Sequence, residues 1–176
     1  MGAYKYIKET DQRELKDRSD YYKQKLIGWG AGPAVERVER PSNLARARTL
    51  GYKAKTGYAV VRVRMGKGRR RRPTVRMGRH PGHSYVYVQP GLSHQAMAEQ
   101  KANRVYKNME VLNSYFIGED GNHKFFEVIL VDQSMPQVGL HLPKGRSFRG
   151  LTSRGRKVRG LRATGKKSQR PGPKRK

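Results

Sequence analysis

Cysteine is absent from the 176 residues, which removes disulfides, thiolate nucleophiles and Cys-based zinc sites together. Acidic residues are scarce: 13 Asp and Glu stand against 40 Lys and Arg, for a net charge of +27. A compact monomer with that excess of one sign repels itself, so a polyanionic partner is implied. Nucleic acid leads because phosphate contacts supply most of its affinity through counterion release. No stretch approaches the roughly 20 apolar residues that cross a bilayer, and the N-terminus lacks the apolar core of a secretory signal. The expectation is a soluble, intracellular chain without a membrane partner. Its 35% hydrophobic content leaves room for one modest core, hence one compact domain with extensions.

Reactive motifs are missing too. No GxxxxGK[ST] pattern occurs, and Gly28-Trp29-Gly30-Ala31-Gly32 lacks the preceding strand that a nucleotide-binding loop requires. Between His80 and His83 stand only Pro81 and Gly82, which give neither a helical nor a strand register for two metal ligands. Glu119 and Asp120 are the only adjacent carboxylates, and ahead of Gly121 they read as turn chemistry rather than an acid/base pair. The expectation is therefore no enzyme, no cofactor, no metal and no small-molecule substrate.

The charge is segregated. No acidic residue lies between Glu39 and Glu99, and none follows Asp132. Residues 40–98 carry 14 Lys and Arg and residues 144–176 another 14, leaving 12 bases with all 13 acids. A surface built only for solubility mixes both signs, so this division favours directed phosphate contact. Residues 144–176, rich in Gly, Arg, Lys and Ser, hold few apolar residues (Phe148, Leu151, Val158, Leu161). Those are too few to offset the entropy of ordering, so the segment is expected to bury no core and to fold only on a partner. The chain divides accordingly into a domain, residues 1–143, containing the basic internal segment 40–98, and a basic extension, residues 144–176.

Local patterning predicts an α+β fold, a small antiparallel sheet packed with helices on one face, with long basic loops. Asp11 and Glu14 have capping-box spacing, and Leu15, Tyr22 and Leu26 recur before Gly28, predicting a helix over residues 12–27. Ser42 is the expected cap of a short helix ending at Leu50-Gly51, with the glycine left-handed. Ser93 is the expected cap of a third helix carrying Ala98, Ala102, Val105 and Met109 on one face. Strands are expected over residues 58–64, with Val61 and Val63 inward and Arg62 and Arg64 toward a partner or water. Residues 111–117 and 124–131 should form a hairpin about Gly118-Glu119-Asp120-Gly121-Asn122, with a short strand over 85–88. Arg69-Arg70-Arg71-Arg72-Pro73 after Gly66-Lys67-Gly68 reads as a basic loop off the sheet. Arginine suits that role because its planar fork bonds two phosphate oxygens and stacks on bases. In Tyr52-Lys53-Ala54-Lys55-Thr56-Gly57-Tyr58, aromatics alternate with cations, so Tyr52 can stack on an unpaired base; Tyr58 reads equally as a strand residue.

At these residues the chain resembles the archaeal and eukaryotic large-subunit ribosomal protein family fifteen-e. The resemblance runs in order through Gly2-Ala3-Tyr4-Lys5-Tyr6-Ile7, Arg40-Pro41 to Ala45-Arg46, Leu50-Gly51-Tyr52-Lys53-Ala54-Lys55, Val111-Leu112-Asn113-Ser114-Tyr115, Gly118-Glu119-Asp120, Phe125-Phe126-Glu127-Val128-Ile129-Leu130 and Arg149-Gly150-Leu151-Thr152-Ser153. It weakens over residues 74–92, and the connection over residues 133–147 is shorter than the family's usual one. The composition is that of an archaeal-type member. The resemblance implies a non-catalytic, cytoplasmic component of the large ribosomal subunit that binds large-subunit ribosomal RNA beside neighbouring ribosomal proteins and supports assembly and translation. The matched cations Arg46, Lys53, Lys55 and Arg149 are then the leading rRNA contacts. With them go Arg48 and Tyr52; Arg62 and Arg64; Lys67, Arg69, Arg70, Arg71, Arg72, Arg76 and Arg79; and Lys144, Arg146, Arg154, Arg156, Lys157, Arg159, Arg162, Lys166 and Lys167. The broader alternative is a non-ribosomal nucleic-acid binder, such as a DNA-compacting protein or an RNA chaperone.

Overall fold

A computed structural model describes residues 2–68, 70–71, 76–78, 82, 87–88 and 90–162. Its helices are α1 (Ala3–Asp17), α2 (Asp20–Ala31), α3 (Leu44–Thr49), α4 (His94–Val105) and α5 (Ser153–Val158). Its strands are β1 (Val35–Val38), β2 (Tyr58–Gly66), β3 (Arg70–Arg71), β4 (Tyr87–Val88), β5 (Glu110–Glu119) and β6 (His123–Val131). The main sheet is antiparallel in the order β1-β2-β6-β5, and β3 pairs with β4 in a separate two-stranded ladder. The fold is α+β.

Both faces of the sheet are covered, which corrects the expectation of helices on one face. The reason is visible in β6, where every residue from Phe125 to Val131 is buried; a strand buried on both sides reads as a continuous apolar run rather than an alternating one. On one face Tyr58, Tyr115, Phe125, Ile129 and Val131 pack with Tyr22 and Leu26 of α2 and Ala47 of α3. On the other, Val61, Val63, Phe126, Val128 and Leu130 pack with Ala98 and Ala102 of α4.

The hairpin lies where the residue pattern predicts it, each strand slightly longer than expected. Asp120 closes its turn by accepting bonds from the backbone N–H groups of Asn122, at 2.7 Å, and His123, the turn role expected of it. β1 is hidden in the sequence because its two central residues, Glu36 and Arg37, mask the pattern of a four-residue edge strand. Of residues 85–88 the ladder takes Tyr87 and Val88; Tyr85 and Val86 lie outside the described residues.

Two helical starts need correction. The helix expected over 12–27 is two helices: the first begins at Ala3, and Arg18 turns left-handed at φ 49° to end it. Ser19 then caps the second, its hydroxyl accepting from Tyr22 N at 3.3 Å, and α2 runs through Gly28 to Ala31. The cap of α3 is Asn43, whose Oδ1 accepts from Arg46 N at 2.7 Å, because Ser42 is turned to Glu127 instead. Gly51 does take the left-handed position, at φ 100°. Ser93 caps α4 as expected, accepting from Ala96 N at 3.3 Å. On that helix Val105 proves exposed, while Glu99 is buried beside Ala98 and Ala102.

Residues 144–162 lie against the body and bury Ser147, Thr152 and Gly155, while the apolar residues Phe148, Leu151, Val158 and Leu161 stay partly or largely exposed. Within the segment the turn before α5 depends on glycine, since a Cβ on Gly155 would sit 2.6 Å from the Gly150 backbone and Gly150 itself is left-handed at φ 63°.

Candidate nucleic-acid interface

The strand registers decide which cations are spoken for. Glu36 lies opposite Arg62 between β1 and β2, Arg62 opposite Glu127 between β2 and β6, and Glu127 opposite Tyr115 between β6 and β5. These four side chains form a polar row across the sheet. The Arg62 guanidinium meets Glu36 Oε2 at 3.4 Å and Glu127 Oε1 at 3.7 Å, and lies 4.5 Å from the centre of the Trp29 ring. Glu127 is fully buried. It also accepts from Ser42 N at 3.0 Å, from Ser42 Oγ at 2.6 Å and from the Tyr115 hydroxyl. Burial, followed by the Glu127 charge, pushes the Tyr115 phenol above its ordinary range. Trp29 therefore packs on protein, between Arg62 and Phe125, whose ring centre is 5.6 Å away.

Arg62, expected to face a partner or water, is turned inward by the structure. A segment free of acids in sequence is not free of them in space, because strand pairing brings Glu36 and Glu127 across. Lys67 is similarly engaged, 3.4 Å from Glu119 Oε2 and donating to the Asp120 carbonyl. Tyr52 is half-buried against the core, in an edge-on pair with Tyr58 at 6.5 Å, so its ring is a packing element more than an open stacking platform.

The remaining described candidates differ. Among the described residues no carboxylate lies within 4.0 Å of the charged groups of Arg46, Arg48, Lys53, Lys55, Arg64, Lys144, Arg146, Arg149, Arg154, Arg156, Lys157, Arg159 or Arg162. Several are held by neutral acceptors. Arg146 donates to Val111 O at 3.0 Å, Arg154 to Ser93 Oγ at 2.9 Å and Arg162 to Ser153 Oγ at 2.6 Å. Arg48 is fixed on the Tyr4 hydroxyl and ring. Like charges are also held near one another. Burial and then Arg156 push the Arg146 guanidinium below its ordinary range, and burial and then Arg64 do the same to the Lys101 amine. Arg71 and Arg76 are exposed. Arg69, Arg72, Arg79, Lys166 and Lys167, together with the side chain of Arg70, lie outside the described residues, as do His80 and His83.

Glu99 fastens the basic segment to the body. Fully buried on α4, it accepts from Ser114 Oγ of β5 and, at 2.6 Å, from Thr152 Oγ1; Thr152 in turn accepts from Gly155 N at 3.1 Å as the cap of α5. Burial pushes the Glu99 carboxyl above its ordinary range, against the two hydroxyls that favour its charged form. A raised folded pKa means the folded chain holds this proton more tightly than the unfolded one does. The linked stability is fully present below the ordinary value of 4.5 and is lost as pH rises through the raised value. Glu99→Gln, a neutral isostere, should remove that decline, so thermal melting above pH 4.5 should fall less steeply with pH than in the parent chain. Identical profiles would show that Glu99 does not titrate in this way.

Position in sequence alone does not single out Arg104, Ser147 or Phe148. Arg104 stands 5.8 Å from the Phe148 ring centre, an approach between distant segments that leaves no local signal.

No three His, Asp or Glu side chains converge among the described residues, and none of their helices is long and apolar enough to cross a membrane. What the fold does define is a structural α+β body whose buried acids are spent internally, carrying a set of cations with no described carboxylate within ion-pair range. The family described as ribosomal L15 matches residues 2–176, and the chain belongs to that family, the ribosomal L15e proteins. It is 41% identical over 163 residues to the large ribosomal subunit protein eL15 of Nanoarchaeum equitans (strain Kin4-M), an alignment covering 87% of this chain and 85% of that protein.

Proposed function

We propose that this chain is a structural component of the cytoplasmic large ribosomal subunit that binds and stabilises large-subunit ribosomal RNA by neutralising phosphates, beside neighbouring ribosomal proteins. The observation that carries this reading is the division of its cations. Arg62 and Lys67 are consumed by internal acids, while Arg46, Lys53, Lys55, Arg149 and their companions have no described carboxylate within ion-pair range. Cations at this density repel one another until a polyanion arrives. Arginine dominates the segment 144–162, and its fork gives phosphate two parallel bonds where lysine offers a point charge. The body supplies placement: the bond from Thr152 to Glu99 and the bond from Arg146 to Val111 O set the backbone of the segment before RNA is met, which lowers the ordering entropy of binding.

The relative from Nanoarchaeum equitans is a large-subunit protein, which supports that location over a DNA-compacting role. Sedimentation tests it. Tagged chain should co-migrate with large subunits through a high-salt wash; recovery mainly with DNA would favour the alternative binder.

A further inference from the structure

Between α4 and the segment 145–159 lies a cavity of about 190 Å³. Its walls are mostly apolar: Leu92, Ala96, Phe148 and Val158 line it, with Gln100 beside them. Three of these are large side chains left about half open, with Leu92 at 42%, Phe148 at 47% and Val158 at 42% exposure. Single exposed apolar residues are ordinary, but a cluster of them around one opening marks a binding surface. This opening sits within the most basic described stretch of the chain.

Two further features narrow the occupant. Ser147 lines the cavity at 4% exposure, and its hydroxyl has no hydrogen-bond partner among the described residues; a buried polar group left unpaired is costly and is normally answered by a ligand or neighbour. At the rim stand Arg149 and Arg159. Among the described residues their guanidinium groups reach only the carbonyls of Lys144 and Gly150. Apolar walls, one unmet hydroxyl and a cationic rim with no acid among the described lining residues suit a flat group that has apolar faces, polar edges and an attached anion. An apolar protein side chain would satisfy the walls and leave the hydroxyl and the rim unanswered.

From this geometry we propose that the cavity captures one unstacked nucleobase of RNA, its ring against Phe148 and its flanking phosphates on Arg149 and Arg159. Aromatic side chains stack on any base, and RNA is read chiefly where its bases are unpaired. The proposal rests on the RNA-binding reading above and adds base capture to phosphate neutralisation.

The test compares the full chain on two probes of equal length, single-stranded oligoadenylate and a fully paired RNA duplex. Phe148→Ala should weaken single-strand binding roughly tenfold, about the size of one base–aromatic stack, while leaving duplex binding and both salt slopes unchanged. Phe148→Tyr should restore it. Leu92→Ala, a second wall variant, should give a smaller loss in the same direction, and a 2-aminopurine placed in the strand should brighten on binding the parent chain, as the base leaves its stacked neighbours, and not on binding Phe148→Ala. An equal loss on both probes, or no loss on either, overturns base capture and assigns the cavity to a protein neighbour. Salt-dependent binding that survives in every variant leaves the phosphate reading standing; its absence from the parent chain would remove that reading itself.

Discussion

Glu127→Ala should lower the stability of the folded chain by about 3–5 kcal/mol, the usual cost of removing one member of a buried charge pair. The carboxylate is fully buried and accepts from the Ser42 backbone, the Ser42 hydroxyl and the Tyr115 hydroxyl while facing the Arg62 guanidinium. Truncation to Ala leaves those donors unmet and Arg62 with Glu36 as its remaining carboxylate. Against a typical total of about 5–15 kcal/mol the loss is a large fraction, readable as a fall in the urea midpoint with little change in slope. Glu127→Gln, which keeps an acceptor and the volume, should cost less. A loss below about 1 kcal/mol for the alanine variant would show that the polar row is incidental to the fold.

That row also shows how far the sequence can be read. The hairpin announces itself through Phe125-Phe126-Glu127-Val128-Ile129-Leu130 and a turn-rich centre, and Ser93 and Gly51 occupy their expected cap positions. Such features depend on near neighbours. Arg62 cannot be assigned that way, because its partners arrive through pairing of strands far apart in the chain, and alternation along β2 gives the side of the sheet without naming what covers it. Glu127 inside a run of apolar residues is the available hint: a charge in a strand buried on both faces must have a partner. The C-terminal segment escapes composition for a related reason. Thr152 and Arg146 dock it through hydrogen bonds to Glu99 and to Val111 O, neither of which needs the apolar bulk that a residue count detects. The distribution of charge, by contrast, is legible directly, and the structure sharpens it by withdrawing Arg62 and Lys67 from the open set.

Ending the chain after Pro143 should act on both stability and RNA binding. The cut removes Thr152, one of the two hydroxyls that satisfy buried Glu99, and takes Arg146 from Val111 O. The truncated body should therefore melt at a lower temperature, by an amount matching about 1–3 kcal/mol for an acceptor left unmet. It also removes 14 of the 40 Lys and Arg. Each phosphate that is no longer neutralised makes the dependence of log affinity on log salt shallower by roughly 0.7–0.9, so the truncated chain should bind large-subunit rRNA with a slope shallower by several units. An unchanged melting temperature would return the segment to the status of an appendage; an unchanged slope would mean its cations do not meet phosphate.

Phosphate neutralisation is tested most directly by that slope in the full chain, measured on a large-subunit rRNA fragment by titration across a series of salt concentrations. With roughly ten or more phosphates engaged, log affinity should fall with log salt at a slope of about −7 or steeper. An affinity that stays nearly constant across the series would contradict phosphate neutralisation as the basis of binding.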